Sequence, residues 1–301
     1  MNTDDPTTFA IGYELDAVAA RTDHSIVFVA EQRSTGRQVA VKLAHDPDGA
    51  DALRREVQVL RGLHHPHIVE VIEATATGDP WMVMPLAATS LEDACATHGA
   101  FDVDETIGVL LAIASALGAA HRHRLVHADV KPANILLAHD GRPLLADFGA
   151  AHPFGTAPTQ FTPSYFVYDG IEGDVASLAR CGLRMLCDCD GPRADNLRAL
   201  LREFARLGDR PEVLVDAIAT LTTEPRWPGV HATSPTAVPG PSTLPFGPRP
   251  PRASDRVAAP PRRSRRRIVA LLAAAVVLIG AMHVARDRVA PHAPVTVEAG
   301  P

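Results

Sequence analysis

Lysine is almost missing from this chain: of its 29 basic residues 27 are arginine, and the two lysines are Lys42 and Lys131. Cysteine is scarce as well. Cys95, Cys181, Cys187 and Cys189 form no C-x-x-C pair, which excludes a disulfide framework and a cysteine-based zinc site and fits a reducing compartment. No apolar run follows the N-terminus, where Met1-Asn2-Thr3-Asp4-Asp5-Pro6 is polar and acidic, so the start does not read as a secretory signal. A basic surface is also lacking over most of the length. Residues 1–230 hold 19 basic and 32 acidic side chains, against 10 and 3 in residues 231–301. Phosphate backbones are bound by clustered cations, so the acidic part excludes nucleic acid as the main partner and leaves the basic tail to be explained.

What is present divides the chain by texture. From Thr8 to about Met84, β-branched residues alternate with polar ones, as in Ile26-Val27-Phe28-Val29 and Gln38-Val39-Ala40-Val41, the period of strands. One helix interrupts them, from about Asp48 to Leu63, where Leu53, Val57 and Leu60 recur at spacings of four and three. After Pro85 the chain turns helical, with apolar stripes over Asp104 to His121 and Val175 to Leu186. From His231 to Pro261 proline, glycine and serine dominate without periodicity, and an arginine run (Arg262, Arg263, Arg265, Arg266, Arg267) follows. Residues 268–285 then carry no charge for eighteen positions, about 27 Å as a helix and enough to cross a bilayer. Five arginines on one flank against Arg286 and Arg288 on the other orient residues 1–267 toward the cytoplasm and 286–301 outward. The arginine run would also meet anionic lipid. Ala273-Ala274-Ala275 and Gly280 leave a homodimer through this helix open.

The chemistry is concentrated in His127-Ala128-Asp129-Val130-Lys131-Pro132-Ala133-Asn134, followed thirteen residues after Asn134 by Asp147-Phe148-Gly149. Upstream stand Val39-Ala40-Val41-Lys42 and a glutamate, Glu56, on the first helix. These resemble, in order, the catalytic loop, the magnesium-binding motif, the strand lysine and the helix glutamate of protein kinases, in particular the bacterial Ser/Thr (Hanks-type) kinases. The resemblance covers about residues 9–230. It implies an α+β, bilobal fold with a strand-rich N-lobe (9–86) and a helical C-lobe (87–230), continued by a disordered juxtamembrane linker (231–267), a transmembrane helix (268–285) and a short tail (286–301). It further implies an enzyme that uses ATP and Mg2+ to phosphorylate Ser/Thr hydroxyls of proteins. Asp129 and Lys131 would be catalytic, Asn134 and Asp147 would hold the metal, and Lys42 paired with Glu56 would contact the phosphates. Val18, Val27, Ala40, Met84, Leu86 and Leu136 would line the adenine pocket. Asp174 resembles the buried helix aspartate that ties the catalytic loop together. Both lysines fall at phosphate-contact positions, a coincidence of about one in four hundred if they were scattered over the basic sites.

The pattern is broken in three places. The glycine-rich phosphate loop should fall at Ala20-Arg21-Thr22-Asp23-His24-Ser25, and it holds no glycine, which implies weaker ATP binding. Ala128 replaces the arginine that pairs with a phosphorylated activation loop in many members. The Ala-Pro-Glu ending reads Val167-Tyr168-Asp169, leaving Asp169 as the expected partner of Arg226 and putting peptide docking in question. Two rival readings follow: a pseudokinase serving as a membrane-tethered scaffold or nucleotide sensor, and a small-molecule kinase of related fold. The histidines at 64, 65, 67, 121, 123 and 127 lack cysteine neighbours and read as structural rather than metal-binding.

Overall fold

Alternation along three successive strands decides the architecture of the front half. β1 (Tyr13–Arg21), β2 (Ser25–Gln32) and β3 (Arg37–Ala44) pair antiparallel in sequence, and β5 (Trp81–Pro85) and β4 (Glu73–Thr75) complete a five-stranded sheet ordered β1-β2-β3-β5-β4. The register places Val27 opposite Lys42 and Lys42 opposite Met82, so these share one face. Tyr13, Ala30, Val39, Val41 and Val83 form a separate cluster with Leu15, Leu43 and Trp81. The computed structural model describes residues 12–99, 101–156, 170–222 and 224–229, all within a unit spanning Met1–Pro245. The expectations for the linker 231–267, the apolar segment 268–285, the tail 286–301 and Val167-Tyr168-Asp169 lie outside the described residues.

Helix α1 (Pro47–Gly62) starts one residue ahead of the expected helix because Asp46 caps it, its carboxylate accepting the Gly49 N–H, with proline at the first helical position. It buries Gly49, Leu53, Glu56, Val57 and Leu60, a stripe that is apolar except for one carboxylate. The back half is built on α3 (Val103–Arg122), opened by a capping box in which the Asp102 carboxylate accepts the Glu105 N–H and the Glu105 carboxylate accepts that of Asp102. Among the described residues α3 is long and apolar enough to cross a membrane, yet 78% of its apolar window is buried inside the domain. It is a core helix. Against it lie α4 (Ile171–Met185), α5 (Pro192–Leu207) and α6 (Pro211–Ala219), while α2 (Leu91–His98) precedes it in the chain. Short strands fill the interval: β6 (Thr89–Ser90), β8 (Ile135–Leu137) and β9 (Pro143–Leu145) form one sheet, and β7 (Leu125–Val126) pairs with β10 (His152–Pro153). A parallel bridge from Ile68 to Leu145 joins the segment after α1 to β9. The continuous core runs through both halves, from Leu53, Val57 and Met82 to Leu110, Ile113, Leu178 and Leu201.

Beyond α6 the chain turns back along α3. Arg226 pairs with Asp102, the Arg226 N–H donates to the Asp104 carbonyl, and the Trp227 ring meets His67 edge-on at 5.6 Å. The expected partner Asp169 is outside the described residues, and it is Asp102 that Arg226 engages. A β-carbon on Gly108 would stand 2.1 Å from the Arg226 carbonyl oxygen, so this return segment is seated where α3 lacks a side chain. Alanine in a helix interior is favoured over glycine by about 1 kcal/mol. Gly108→Ala is nevertheless expected to dislodge the segment, read as increased acrylamide quenching of Trp227 fluorescence in a Trp81→Phe background; unchanged quenching would show that the contact is dispensable.

Candidate active site

Strand β3 carries Lys42 on the face shared with Val27 and Met82, and α1 brings Glu56 to the same point. The Lys42 Nζ donates to Glu56 Oε2 at 2.7 Å and to Asp147 Oδ1 at 2.9 Å. Lys42 is 9% exposed and Glu56 1%. Burial opposes charge on the ammonium, but the carboxylates of Asp147 and Glu56 outweigh it and hold Lys42 well above its ordinary range. For Asp147 burial likewise pushes upward, and the charge and hydrogen bond of Lys42, helped by His127 and Lys131, bring its carboxyl down to about 2. Burial raises Glu56, against the pull of Lys42. The Glu56 carboxylate also accepts a backbone hydrogen bond from Phe148.

Asp147 stands at φ 62°, ψ 68°, the left-handed region that an aspartate tolerates better than most side chains. That backbone twist lets the chain reverse after β9 and drive Phe148 into the core, where it is fully buried and lies edge-on to His127 at 4.6 Å. His127 Nε2 lies 3.1 Å from the Ala146 carbonyl oxygen. The Ala146 N–H donates to the Asn134 carbonyl, so the segment bearing Asp147 is tied to the loop bearing Asn134.

That loop leaves β7 and passes through a short 3-10 turn, Pro132–Asn134. Lys131 Nζ donates to Asp129 Oδ2 at 2.7 Å, and Asn134 Nδ2 donates to Asp129 Oδ2 at 3.0 Å and to its carbonyl at 2.8 Å. With its nitrogen so engaged, the Asn134 amide keeps its oxygen for another partner. Lys42 takes one oxygen of Asp147 and leaves the second for a cation. An amide oxygen and a carboxylate oxygen are the hard donors that Mg2+ accepts, so Asn134 and Asp147 fit the ion that the motif implies.

Of the expected apolar wall, Ala40 and Met84 lie in the core, and Val27, Leu86 and Leu136 are partly buried against it. Ala40 pairs across the sheet with Val29 and Met84. Val18 is placed differently. Two irregularities in β1 put it opposite Phe28, which in turn pairs with Val41, while Ala17 stands opposite Val29. The register therefore groups Val18 with the opposite face, and Ala17 and Ala20 with Val27 and Lys42.

The turn between β1 and β2 holds an arrangement that spacing alone did not suggest. Thr22 Oγ1 accepts the N–H of His24 at 3.3 Å and of Ser25 at 3.0 Å and lies 3.0 Å from Ser25 Oγ, closing the turn with a hydroxyl. His24 Nδ1 is 2.8 Å from Asp46 Oδ2, at the head of α1. Arg55, beside Glu56, donates to the Gly149 carbonyl at 3.4 Å. The sequence signal for the His24 contact was present only as Asp46 preceding Pro47, the mark of a helix start.

Asp174 on α4 organises the loop from below. Its Oδ2 accepts the His127 N–H at 2.9 Å and faces His121 Nε2 at 2.8 Å, and its Oδ1 accepts the Ala128 N–H at 2.9 Å. Ala128 sits at φ 65°, a conformation unfavourable for a residue with a β-carbon, and this carboxylate holds it there. Asp174→Asn would present an amide N–H to a donor and unpair one side of a buried network, and is expected to destabilise the protein by about 2–5 kcal/mol in chemical denaturation. A loss below about 0.5 kcal/mol would remove Asp174 from this role.

Comparison with known proteins matches this architecture. Residues 22–168 match the protein kinase domain family. The chain is similar to the serine/threonine-protein kinase PknK of Mycobacterium tuberculosis, 34% identical over 222 residues, covering 66% of this chain and 20% of that protein. It is also similar to the probable serine/threonine-protein kinase PknB of Corynebacterium glutamicum, 35% identical over 168 residues, 52% of this chain and 26% of that one. A likeness extends to the serine/threonine-protein kinase SIK2 of Gallus gallus, 29% identical over 220 residues, 66% and 28% of the two chains. The chain thus spans a fifth to just over a quarter of the length of these relatives. Sheet, motif order and relatives agree: residues 22–168 of this chain match a protein kinase domain, similar to those of the serine/threonine kinases of bacteria.

Proposed function

We propose that the chain is an ATP- and Mg2+-dependent protein kinase that phosphorylates serine or threonine hydroxyls, with its catalytic domain held at the cytoplasmic face of a membrane by residues 268–285. The observation that carries the catalytic reading is that six residues form two hydrogen-bonded triads, Lys42–Glu56–Asp147 and Asp129–Lys131–Asn134, tied together by the Ala146–Asn134 backbone bond. Bound Mg·ATP supplies an electrophilic γ-phosphorus whose charge the metal partly neutralises. Asp129 accepts the proton of the attacking hydroxyl and orients it. Lys131, bonded to Asp129, places a compact cation next to the group being transferred. Asn134 and Asp147 would hold the metal, and Lys42, steadied by Glu56, would offer its ammonium to the nucleotide's phosphates. Val27, Ala40, Met84, Leu86 and Leu136 give the adenine ring an apolar wall, to which Val18, on the opposite face of the sheet, does not contribute. Lys131 two residues after Asp129, together with the relatives, favours Ser/Thr over Tyr.

The membrane reading rests on the uncharged run 268–285 beside five arginines, which would also contact anionic lipid. Small residues in that run suit close helix pairing, and a homodimer is the assembly we would look for.

Incubation of the full chain in lipid vesicles with labelled ATP and Mg2+ is expected to label the chain or a general protein substrate on Ser/Thr. Asp147→Asn is expected to reduce the rate at least about 100-fold, in line with loss of a charged group acting on the transition state. Nucleotide binding without labelling of the unaltered chain would refute phosphotransfer and favour the pseudokinase reading. For the anchor, the full chain is expected to float with anionic vesicles and to resist alkaline extraction, whereas a chain ending at Arg267 is expected to be released; flotation of both by charge alone would sink the transmembrane assignment.

A further inference from the structure

The β1–β2 turn is attached to α1 at several points. Asp46 divides its carboxylate between two tasks: Oδ1 accepts the Gly49 N–H at 2.7 Å and caps the helix, and Oδ2 meets His24 Nδ1 at 2.8 Å. The His45 N–H donates to the His24 carbonyl at 3.2 Å, and His45 Nε2 lies 3.3 Å from the Thr22 carbonyl oxygen. A β-carbon on Gly49 would lie 2.1 Å from the His24 carbonyl oxygen, so the turn rests on the first turn of α1 at a position that admits no side chain. The amides that a glycine-rich loop would turn toward phosphate are here committed internally: His24 and Ser25 donate to Thr22 Oγ1, and Thr22 to the Ser25 carbonyl.

We propose that His24 and Asp46 are positioning residues that lock the β1–β2 turn to the head of α1 and thereby set the Lys42–Glu56 pair. The proposal rests on the kinase reading of the cleft. Glu56 lies seven residues beyond Gly49 on the same buried stripe, two helical turns and about 10 Å along the axis. A helix of sixteen residues moves as a unit, so a shift of its first turn reaches Glu56. The turn therefore does for α1 what its missing glycines cannot do for phosphate.

Protonation favours the clasp. His24 is surrounded by acids: Asp46 and Asp48 on the α1 side and Asp23 in its own turn, with the His45 imidazole also facing Asp46, its Nδ1 3.7 Å away. The Asp46 hydrogen bond is the main cause that raises His24 above its ordinary value. A group whose folded-state pKa is raised contributes its stabilisation fully below the unfolded value and loses it as pH rises through the folded one, so the clasp weakens from near neutrality upward.

The test uses the full chain in vesicles, with kcat and KM for ATP measured between about pH 5.5 and 9, and hydrogen exchange of the α1 amides recorded in parallel. Asp46→Ser keeps a helix cap but cannot pair with His24, and Gly49→Ala pushes the turn away. Both are expected to lower kcat/KM for ATP about tenfold near pH 7, the effect of one charge-assisted hydrogen bond, and to speed exchange along α1 as far as Glu56. His24→Asn retains a donor at the same position without a titrating ring; it is expected to restore kcat/KM while abolishing the alkaline decline seen in the unaltered chain. Unchanged kcat/KM in both Asp46→Ser and Gly49→Ala, or an alkaline decline that survives in His24→Asn, would overturn the proposal. If the unaltered chain transfers no phosphate, the kinase reading fails by itself, and exchange decides the clasp: faster α1 exchange in Asp46→Ser supports it and equal exchange overturns it.

Discussion

An ammonium withdrawn from water loses several kcal/mol of hydration that only well-placed anions return, and Lys42 is withdrawn almost completely. Its two carboxylates come from parts of the chain that share no local structure: Glu56 from α1, fourteen residues on, and Asp147 from beyond β9, 105 residues on. Glu56, fully buried, could not stay charged without the lysine, and Asp147, half-buried, is held charged by it. The pair is thus a condition on the whole architecture: the sheet must deliver β3 at the right register, α1 must lie with Glu56 inward, and the backbone at Asp147 must take its left-handed twist. Loss of any one would strand a charge, which is far worse than losing the contact.

The surrounding packing is arranged to hold those three conditions together. Phe148 is fully buried next to the residue that bonds Lys42, and its backbone donates to Glu56, so one apolar anchor fixes both carboxylates. Ile68 bridges to Leu145, with the Val69 N–H donating to the Leu145 carbonyl and the Leu145 N–H to the His67 carbonyl, so the chain leaving α1 is sewn to the strand that leads into Asp147. On the other side, Asp174 gives one carboxylate to two consecutive amides and to His121. Asp129 and Asn134 then need only short local bonds to each other, because the backbone leading into them, at His127 and Ala128, has already been set from below.

Much of this was legible in the sequence because it is written in residue type and order. A strand lysine, a helix glutamate on an otherwise apolar stripe, and the Asp129-to-Asp147 motifs occur in sequence and converge in space. The stripe Leu53, Val57, Leu60 located α1 to within a residue or two, the difference arising from a cap that periodicity does not register. What stayed hidden depends on geometry with no compositional mark. Irregularities in β1 shift Val18 out of the face expected of it, and a bulge changes facing without changing alternation in any visible way. The return of residues 224–229 along α3 depends on Gly108 being bare, and one glycine in a helix carries no message about what will lie on it. His24 and Asp46 are separated by 22 residues and two strands, so their meeting is a result of the hairpin's length.

The distribution of glycine makes the altered turn intelligible. Glycine relieves two different constraints, a left-handed backbone and a neighbour too close for a β-carbon, and this chain leaves the first unrelieved at two positions of the candidate site: Ala128 and Asp147 both carry side chains at positive φ. Each is held by a carboxylate network instead, Ala128 by Asp174 and Asp147 by its bond to Lys42. At the β1–β2 turn the same substitution of side-chain bonding for backbone freedom is made by Thr22. The glycine at this contact stands on its other side, at Gly49, where it clears space for the turn's carbonyl. A turn closed by its own hydroxyl is stiffer than one closed by glycines, and stiffness suits a part that braces a helix better than one that must fold down over a nucleotide. The glycine-free turn and the His24–Asp46 contact are therefore two parts of one arrangement, in which the tip of the hairpin is closed on itself and braced against the helix that carries Glu56.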